Sequence, residues 1–223
     1  MNYELIEIDG HKVIKATYFK NDILDVINEA EAVSKRINPH APNGELRTDE
    51  ELFIKNIGGL LSERFISDIL KSYSKSHKLD VEIADSNWKA LQNSLYQVDH
   101  AVITNNGKKT IETRSSFSYR TKCPERVITG AFSIIGPYVS KNKTKEIHKD
   151  FYAFVFFCID PTNLLKTLES QGIIIYFAGG ADIELLLSIN QKDSLKQSGA
   201  EYYIIKPIQN ALDATEFLER LFS

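Results

Sequence analysis

Apolar positions in this chain change their period several times, and each change marks an element. Tyr3 to Ile8 and Lys12 to Tyr18 flank Asp9-Gly10 and read as a β-hairpin. Asn21 or Asp22 can cap a helix reaching about Ile37, with Leu24, Ile27 and Val33 among its apolar positions. Asn38-Pro39 to Asn43-Gly44 has the chemistry of a loop. Thr48-Asp49-Glu50-Glu51 then forms a capping box ahead of an apolar helical period that runs to about Tyr73. A polar break at Ser72 to Lys78 precedes a short strand at Val81 to Ala84 and a short helix at Asn87 to Ser94, around Trp88. Val98 to Phe117 reads as a second hairpin, turning at Asn106-Gly107.

Beyond it, Val127 to Ile135 is apolar, and periodicity leaves helix and strand both open. Phe151 to Ile159 is continuously aromatic and β-branched, the signature of a strand buried on both faces; Asp160-Pro161-Thr162 stops it and starts a helix through Leu168. Ile173 to Phe177 is another buried strand, ended by Gly179-Gly180. Asp182 to Ile189 reads as helix, Tyr202 to Ile205 as strand and Ala211 to Phe222 as a terminal helix. The sum is an α/β fold with a mixed central β-sheet flanked by helices. The 223 residues suit one domain, with an N-terminal hairpin and helix over 1–45 and a core over 46–223.

Charge sharpens this picture. The chain has a net charge of -3, yet Lys108 to Lys149 holds ten basic residues against Glu112, Glu125 and Glu146, an excess of +7 that leaves -10 on the remainder. A local basic surface starting at the second hairpin suits a groove that follows phosphates, although Lys141 to Lys149 also reads as a solvated, mobile run of lysines. Cys123 and Cys158 have no partner at metal-binding spacing, which argues against a zinc module or a disulfide framework. No signal pattern follows Met1 and no apolar run approaches a membrane span, so a cytoplasmic, reducing location is expected.

Chemistry concentrates in the second hairpin. With Asn106-Gly107 as a two-residue loop, Asp99 lies opposite Arg114, and Glu112 lies opposite Ala101, one diagonal step from Asp99. All three side chains then leave one face with Cβ atoms roughly 4.5 to 8 Å apart, close enough for one divalent cation to bridge both carboxylates. A cross-strand salt-bridge cluster on a solvated face is the plainer alternative. Glu63, on the largely apolar side of the long helix, calls for a partner, either this site or a nearby cation such as Arg64. His100 points to the opposite face from Asp99, as a core or helix-packing residue. Gly58-Gly59 reads as a close-packing site, and Ala178-Gly179-Gly180-Ala181 as a tight strand-to-helix turn without the remainder of a P-loop.

Asp99, twelve intervening residues and then Glu112-Thr113-Arg114 resemble the motif of the PD-(D/E)XK nuclease superfamily, which includes many type II restriction endonucleases. The resemblance covers about twenty residues closely and the surrounding order of helix, hairpin and later strands loosely. It implies a restriction-endonuclease-like fold and Mg²⁺-dependent hydrolysis of double-stranded DNA, with Asp99, Glu112 and the Thr113 carbonyl as metal ligands and Glu63 as an added acid. Arg114 stands where the family usually has lysine, and no proline precedes Asp99. Arginine holds a phosphate but does not accept a proton, so Lys122 or Lys108 is left to supply an amine. Ser116, Tyr119, Arg120, Lys122, Lys141, Lys143 and Lys145 are the expected DNA contacts, and cutting both strands favours a homodimer. A repair, recombination or phage nuclease of the same superfamily, or a non-catalytic DNA-binding or assembly protein that keeps the fold, are the competing readings.

Overall fold

A computed structural model describes residues 3–35, 46–85, 98–119, 122–139, 147–195 and 200–223. The Asn38 to Gly44 loop, the Asn87 to Ser94 helix and the expected DNA contacts Arg120, Lys141, Lys143 and Lys145 lie outside the described residues.

Seven strands form one mixed sheet: β1 (Glu4–Ile8), β2 (His11–Tyr18), β3 (Glu82–Asp85), β4 (His100–Thr104), β5 (Gly107–Phe117), β7 (Phe151–Phe157) and β8 (Ile173–Asp182), in the spatial order β1-β2-β8-β7-β5-β4-β3. The N-terminal hairpin therefore belongs to the same sheet as the core. β7 runs parallel to β5, and every other pairing in this sheet is antiparallel. A smaller sheet of β6 (Ile134–Val139), β10 (Ala200–Ile205) and β9 (Lys192–Leu195) is separate. This α/β architecture, a mixed sheet with helices against it, is the one the apolar pattern predicts.

Two apolar layers hold the sheet. On one face, α1 (Leu24–Ser34), α2 (Asp49–Ser76), α3 (Leu164–Ser170) and α5 (Ala214–Phe222) pack against Ile111, Phe151, Val155, Phe157 and Phe177. On the other, β6, β10 and α4 (Ile183–Ile189) cover Tyr152, Phe154, Phe156 and Tyr176. α2 begins at the anticipated box: Thr48 Oγ1 accepts from Glu51 N–H at 3.1 Å, and the Glu51 carboxylate accepts from Thr48 N–H at 2.8 Å. Gly58 lets α2 approach the sheet, since a Cβ there would sit 2.7 Å from the Phe117 ring.

Two expectations need correcting, and one open choice is decided. Gly179-Gly180 lies inside β8 rather than ending it. Gly180 N–H bonds to Leu212 O at 2.9 Å, and a Cβ on Gly180 would come within 2.0 Å of Tyr152 O, so the glycines serve backbone contacts distant in sequence. α4 starts only after them, capped by Asp182, whose carboxylate accepts from Leu185 N–H at 2.7 Å. The Val127 to Ile135 run, open between helix and strand, holds both: a π-helical turn over Val127–Ala131, interrupted at Gly130, where φ is 146°, and the start of β6. Cys123 and Cys158 are not isolated: they lie 5.6 Å apart at Cα and form a disulfide across 35 residues. That bond removes the cysteine argument for a reducing compartment. Among the described residues, no helix is long and apolar enough to cross a membrane.

Candidate functional site

The second hairpin forms, but its loop is Asn105-Asn106. Thr104 pairs with Gly107 and His100 with Ile111. A loop at Asn106-Gly107 in the favoured type I′ geometry needs positive φ at both residues; Gly107 has it, at 144°, and Asn106 does not. The Thr104 hydroxyl fixes the turn one residue early, accepting from Asn106 N–H at 3.1 Å and donating to Gly107 O at 3.3 Å. Because the loop keeps two residues, each strand slips by one and the faces are preserved. Extended by one step, the register sets Asp99 opposite Glu112 in place of Arg114.

Pairing stops before that step. β4 begins at His100, whereas β5 continues to Phe117, so beyond Ile111 the β4 side of β5 has no strand partner among the described residues. Asp99 occupies the gap. Its carboxylate accepts from Thr113 N–H at 2.7 Å, taking the place of a strand neighbour. In an extended strand one residue's N–H and C=O point the same way, so the Thr113 carbonyl faces the same gap.

Glu112, Arg114 and Ser116 share the face opposite α2, aligned with Tyr152, Phe154 and Phe156 of β7. Arg114 Nη2 stands 3.3 Å from Glu112 Oε1, and both side chains are mostly covered. Burial pushes the Asp99 carboxyl above its ordinary range, while the Thr113 N–H and the nearby His100, Arg114 and Lys149 pull the other way. Asp99 is 6% exposed and Lys149 only 4%.

Lys149 is the basic residue that sequence reasoning passed over. It sits in the sequence at the end of a lysine-rich run, two residues before the apolar β7, and the intervening Asp150 clamps β7 to β5 by accepting from Thr110 N–H at 2.6 Å and from Thr110 Oγ1 at 2.7 Å. No local pattern marks it, since Asp150, which does abut the strand, is exposed. Lys122 and Lys108, the amines proposed from sequence, are both exposed, Lys108 beside the hairpin turn. Tyr119 is also exposed.

Glu63 does not join Glu112. It lines a cavity of about 280 Å³ between α1, α2 and the β3–β4 edge, on the α2 side of the sheet, and Asp99 reaches that cavity from the strand end. His100 also lines it, from the face opposite Glu112, as its position predicts. Asp99 thus stands between two acidic neighbourhoods, with Glu112 on one side and Glu63 on the other. Among the described residues, no three His, Cys, Asp or Glu side chains converge closely enough to enclose a metal ion. The hard-oxygen donors present for one are the Asp99 and Glu112 carboxylates and the Thr113 carbonyl, a set that suits Mg²⁺, which keeps several of its own waters.

An uncharacterized protein of Methanocaldococcus jannaschii is 26% identical over 236 residues, covering 94% of this chain and 85% of that protein. No family model matches the chain. No solved structure matches it.

Proposed function

We propose that this protein is a Mg²⁺-dependent endonuclease acting on double-stranded DNA, as a cytoplasmic homodimer of the PD-(D/E)XK kind. The observation that carries this reading is the bond from Thr113 N–H to the Asp99 carboxylate, which joins the two halves of the motif where β4 has ended and the site opens. Asp99, Glu112 and the Thr113 carbonyl would hold the cation. When bound, Mg²⁺ supplies Lewis-acid stabilisation of charge on the phosphorus oxygens and a lowered pKa for water.

The chain's own residues do the rest. Hydrolysis joins a water oxygen to phosphorus and breaks the bond to a sugar oxygen, so one proton leaves the water and one reaches the departing oxygen. Arg114 stays charged and binds the scissile phosphate rather than moving a proton. Lys149 takes the place of the family's lysine, as a buried amine whose charge acts on Asp99, supplied by the segment before β7. Ser116 continues the same face toward the DNA backbone.

A non-catalytic DNA-binding role has one specific observation in its favour: Arg114 already sets a positive charge 3.3 Å from Glu112. Plasmid cleavage with Mg²⁺ separates the two readings. Glu112→Gln is expected to lower the cleavage rate at least about 100-fold, the effect of losing several kcal/mol of metal-assisted stabilisation. Undiminished cleavage by the variant, or salt-sensitive DNA binding without any nicking by the native protein, overturns the nuclease reading. A panel of palindromic duplex, single strand and junction then distinguishes a restriction enzyme from a repair or recombination nuclease.

A further inference from the structure

The Cys123–Cys158 disulfide is chemistry that the hydrolytic site does not use. Both cysteines are half-buried, although Cys158 directly follows β7, where every residue is buried. The bond carries little of the fold around it. Just before it, β5 and β7 are closed by the hydrogen bond from Ser118 N–H to Phe157 O at 2.8 Å. Just after Cys123, Val127 and Ile128 are fully buried in the apolar layer that covers Phe154 and Phe156. The chain on each side of Cys123 is therefore anchored without the sulfur bridge, so opening it frees a short stretch and leaves the sheet intact.

The two cysteines differ in access. Cys158 lines a cavity of about 610 Å³ beside α3, where β7 ends and β8 begins, and Cys123 does not. Thiol–disulfide exchange depends on which sulfur an incoming thiolate can reach, so the cavity directs attack to Cys158. The rest of the lining indicates what enters. Asn163, Thr167, Ser170 and Gln171 offer hydroxyls and amides along α3, and Lys166 is the one charged side chain among the described residues that line the cavity. With a cation and no carboxylate in that lining, an anionic molecule is drawn in, and a thiol beside Lys166 is favoured in its reactive thiolate form.

We propose that Cys123–Cys158 is a thiol-exchange site, entered through this cavity by a small thiol that carries a carboxylate. The thiolate of the small molecule attacks Cys158 Sγ. The bond between the two protein sulfurs breaks, and its electron pair leaves on Cys123 Sγ, which takes up the proton that the small thiol gave to water. The product is a mixed disulfide on Cys158 and a free thiol on Cys123. A second molecule of the same thiol attacks the small-molecule sulfur of that mixed disulfide and releases Cys158 as a thiol, so two electrons pass from two small thiols to the protein and the small molecule leaves as its own disulfide. Exchange thereby frees Lys122, Cys123 and Pro124 from the end of β7. The site uses neither Glu112 nor Arg114 and does not rest on the nuclease reading.

Glutathione as the carboxylate-bearing probe, 2-mercaptoethanol as a neutral one and cysteamine as a cationic one, each added to the oxidised full chain without denaturant, test the site. Acid quenching, capping with a maleimide and mass spectrometry of the peptides locate the products. Glutathione is expected on Cys158 and maleimide on Cys123, by at least about tenfold over the reverse. With each rate divided by that for an unstructured cystine peptide, glutathione should outpace cysteamine by at least about threefold, and Lys166→Glu, a change at an exposed position, should abolish that preference. Amide hydrogen exchange in the adduct should rise around Cys123 and stay unchanged in β7. A bond that opens only in denaturant, adducts shared equally by the two cysteines or centred on Cys123, an unchanged preference in Lys166→Glu, or faster exchange throughout β7 would each overturn the site.

Discussion

β5 and β7 run side by side and pair residue for residue from Ile111 with Phe151 to Phe117 with Phe157, yet they have opposite characters. Every residue of β7 is buried, with a strand on each edge and an apolar layer on each face. Across the same seven steps β5 reads Ile-Glu-Thr-Arg-Ser-Ser-Phe, and after Ile111 its outer edge has lost β4. Where the ladder is complete, only apolar packing is needed. Where it stops, backbone donors must be satisfied by side chains, and Asp99 on Thr113 N–H is the result. Polar chemistry is thus concentrated at the corner where the sheet runs out of partners.

Phe156 and its β5 partner Ser116 offer the strongest way to break this contrast. Phe156 is fully buried, with its ring stacked on Tyr176 at 4.8 Å between centroids. Phe156→Ala should destabilise the protein by about 3–5 kcal/mol through lost burial and the cavity left behind. Ser116→Ala, one strand away, should change stability by no more than about 0.5 kcal/mol. Denaturant unfolding of both variants checks this; comparable losses would mean that β5 is packed as tightly as β7.

The same contrast explains what could be read in advance. The apolar run of β7, the Asp9-Gly10 hairpin and the Thr48 capping box are local patterns, and all three appear in the fold. The faces of the second hairpin were legible because a two-residue loop preserves them wherever it sits. Its register was not, since the choice between neighbouring loops fell to the Thr104 hydroxyl and to the φ of Asn106. The course of β8 through Gly179-Gly180 depends on Leu212 and Tyr152, and the Cys123–Cys158 bond depends on the return of β7. Burial of Lys149 and the pairing of His100 with Asp85 are likewise tertiary. The motif itself was visible, but its division between two sides of the sheet, with Glu112 on one and Glu63 on the other, required the structure.

Asp99 sharpens the contrast at the next level of effect. A carboxyl whose pKa is raised on folding contributes stability below its unfolded value, near 3.8, and that contribution is lost as pH rises through the folded value. At neutral pH the native protein therefore carries a penalty that Asp99→Asn removes, while the amide oxygen still accepts from Thr113 N–H. The variant should match or exceed native stability at pH 7, with the gap closing toward pH 3.5 in thermal melts. A variant weaker at pH 7 would show that Asp99 is held as a carboxylate, by Arg114 and Lys149, against its burial.

Asp85, on the neighbouring strand, should respond with the opposite sign and a smaller amplitude. Burial alone would raise its pKa, but the hydrogen bonds to His100 and Lys71 prevail and hold it well below the usual carboxylate range. Its stabilisation is present above the unfolded value, near 3.8, and is lost as pH falls through the folded one. The side chain remains 44% exposed, and solvent screening limits the effect to about 1 kcal/mol or less. Asp85→Asn should therefore lower the melting temperature slightly at pH 7 and flatten the acid limb below about pH 4, where the native protein is still losing stability. Parallel profiles for the two proteins in acid would mean that Asp85 is not tied to His100 and Lys71.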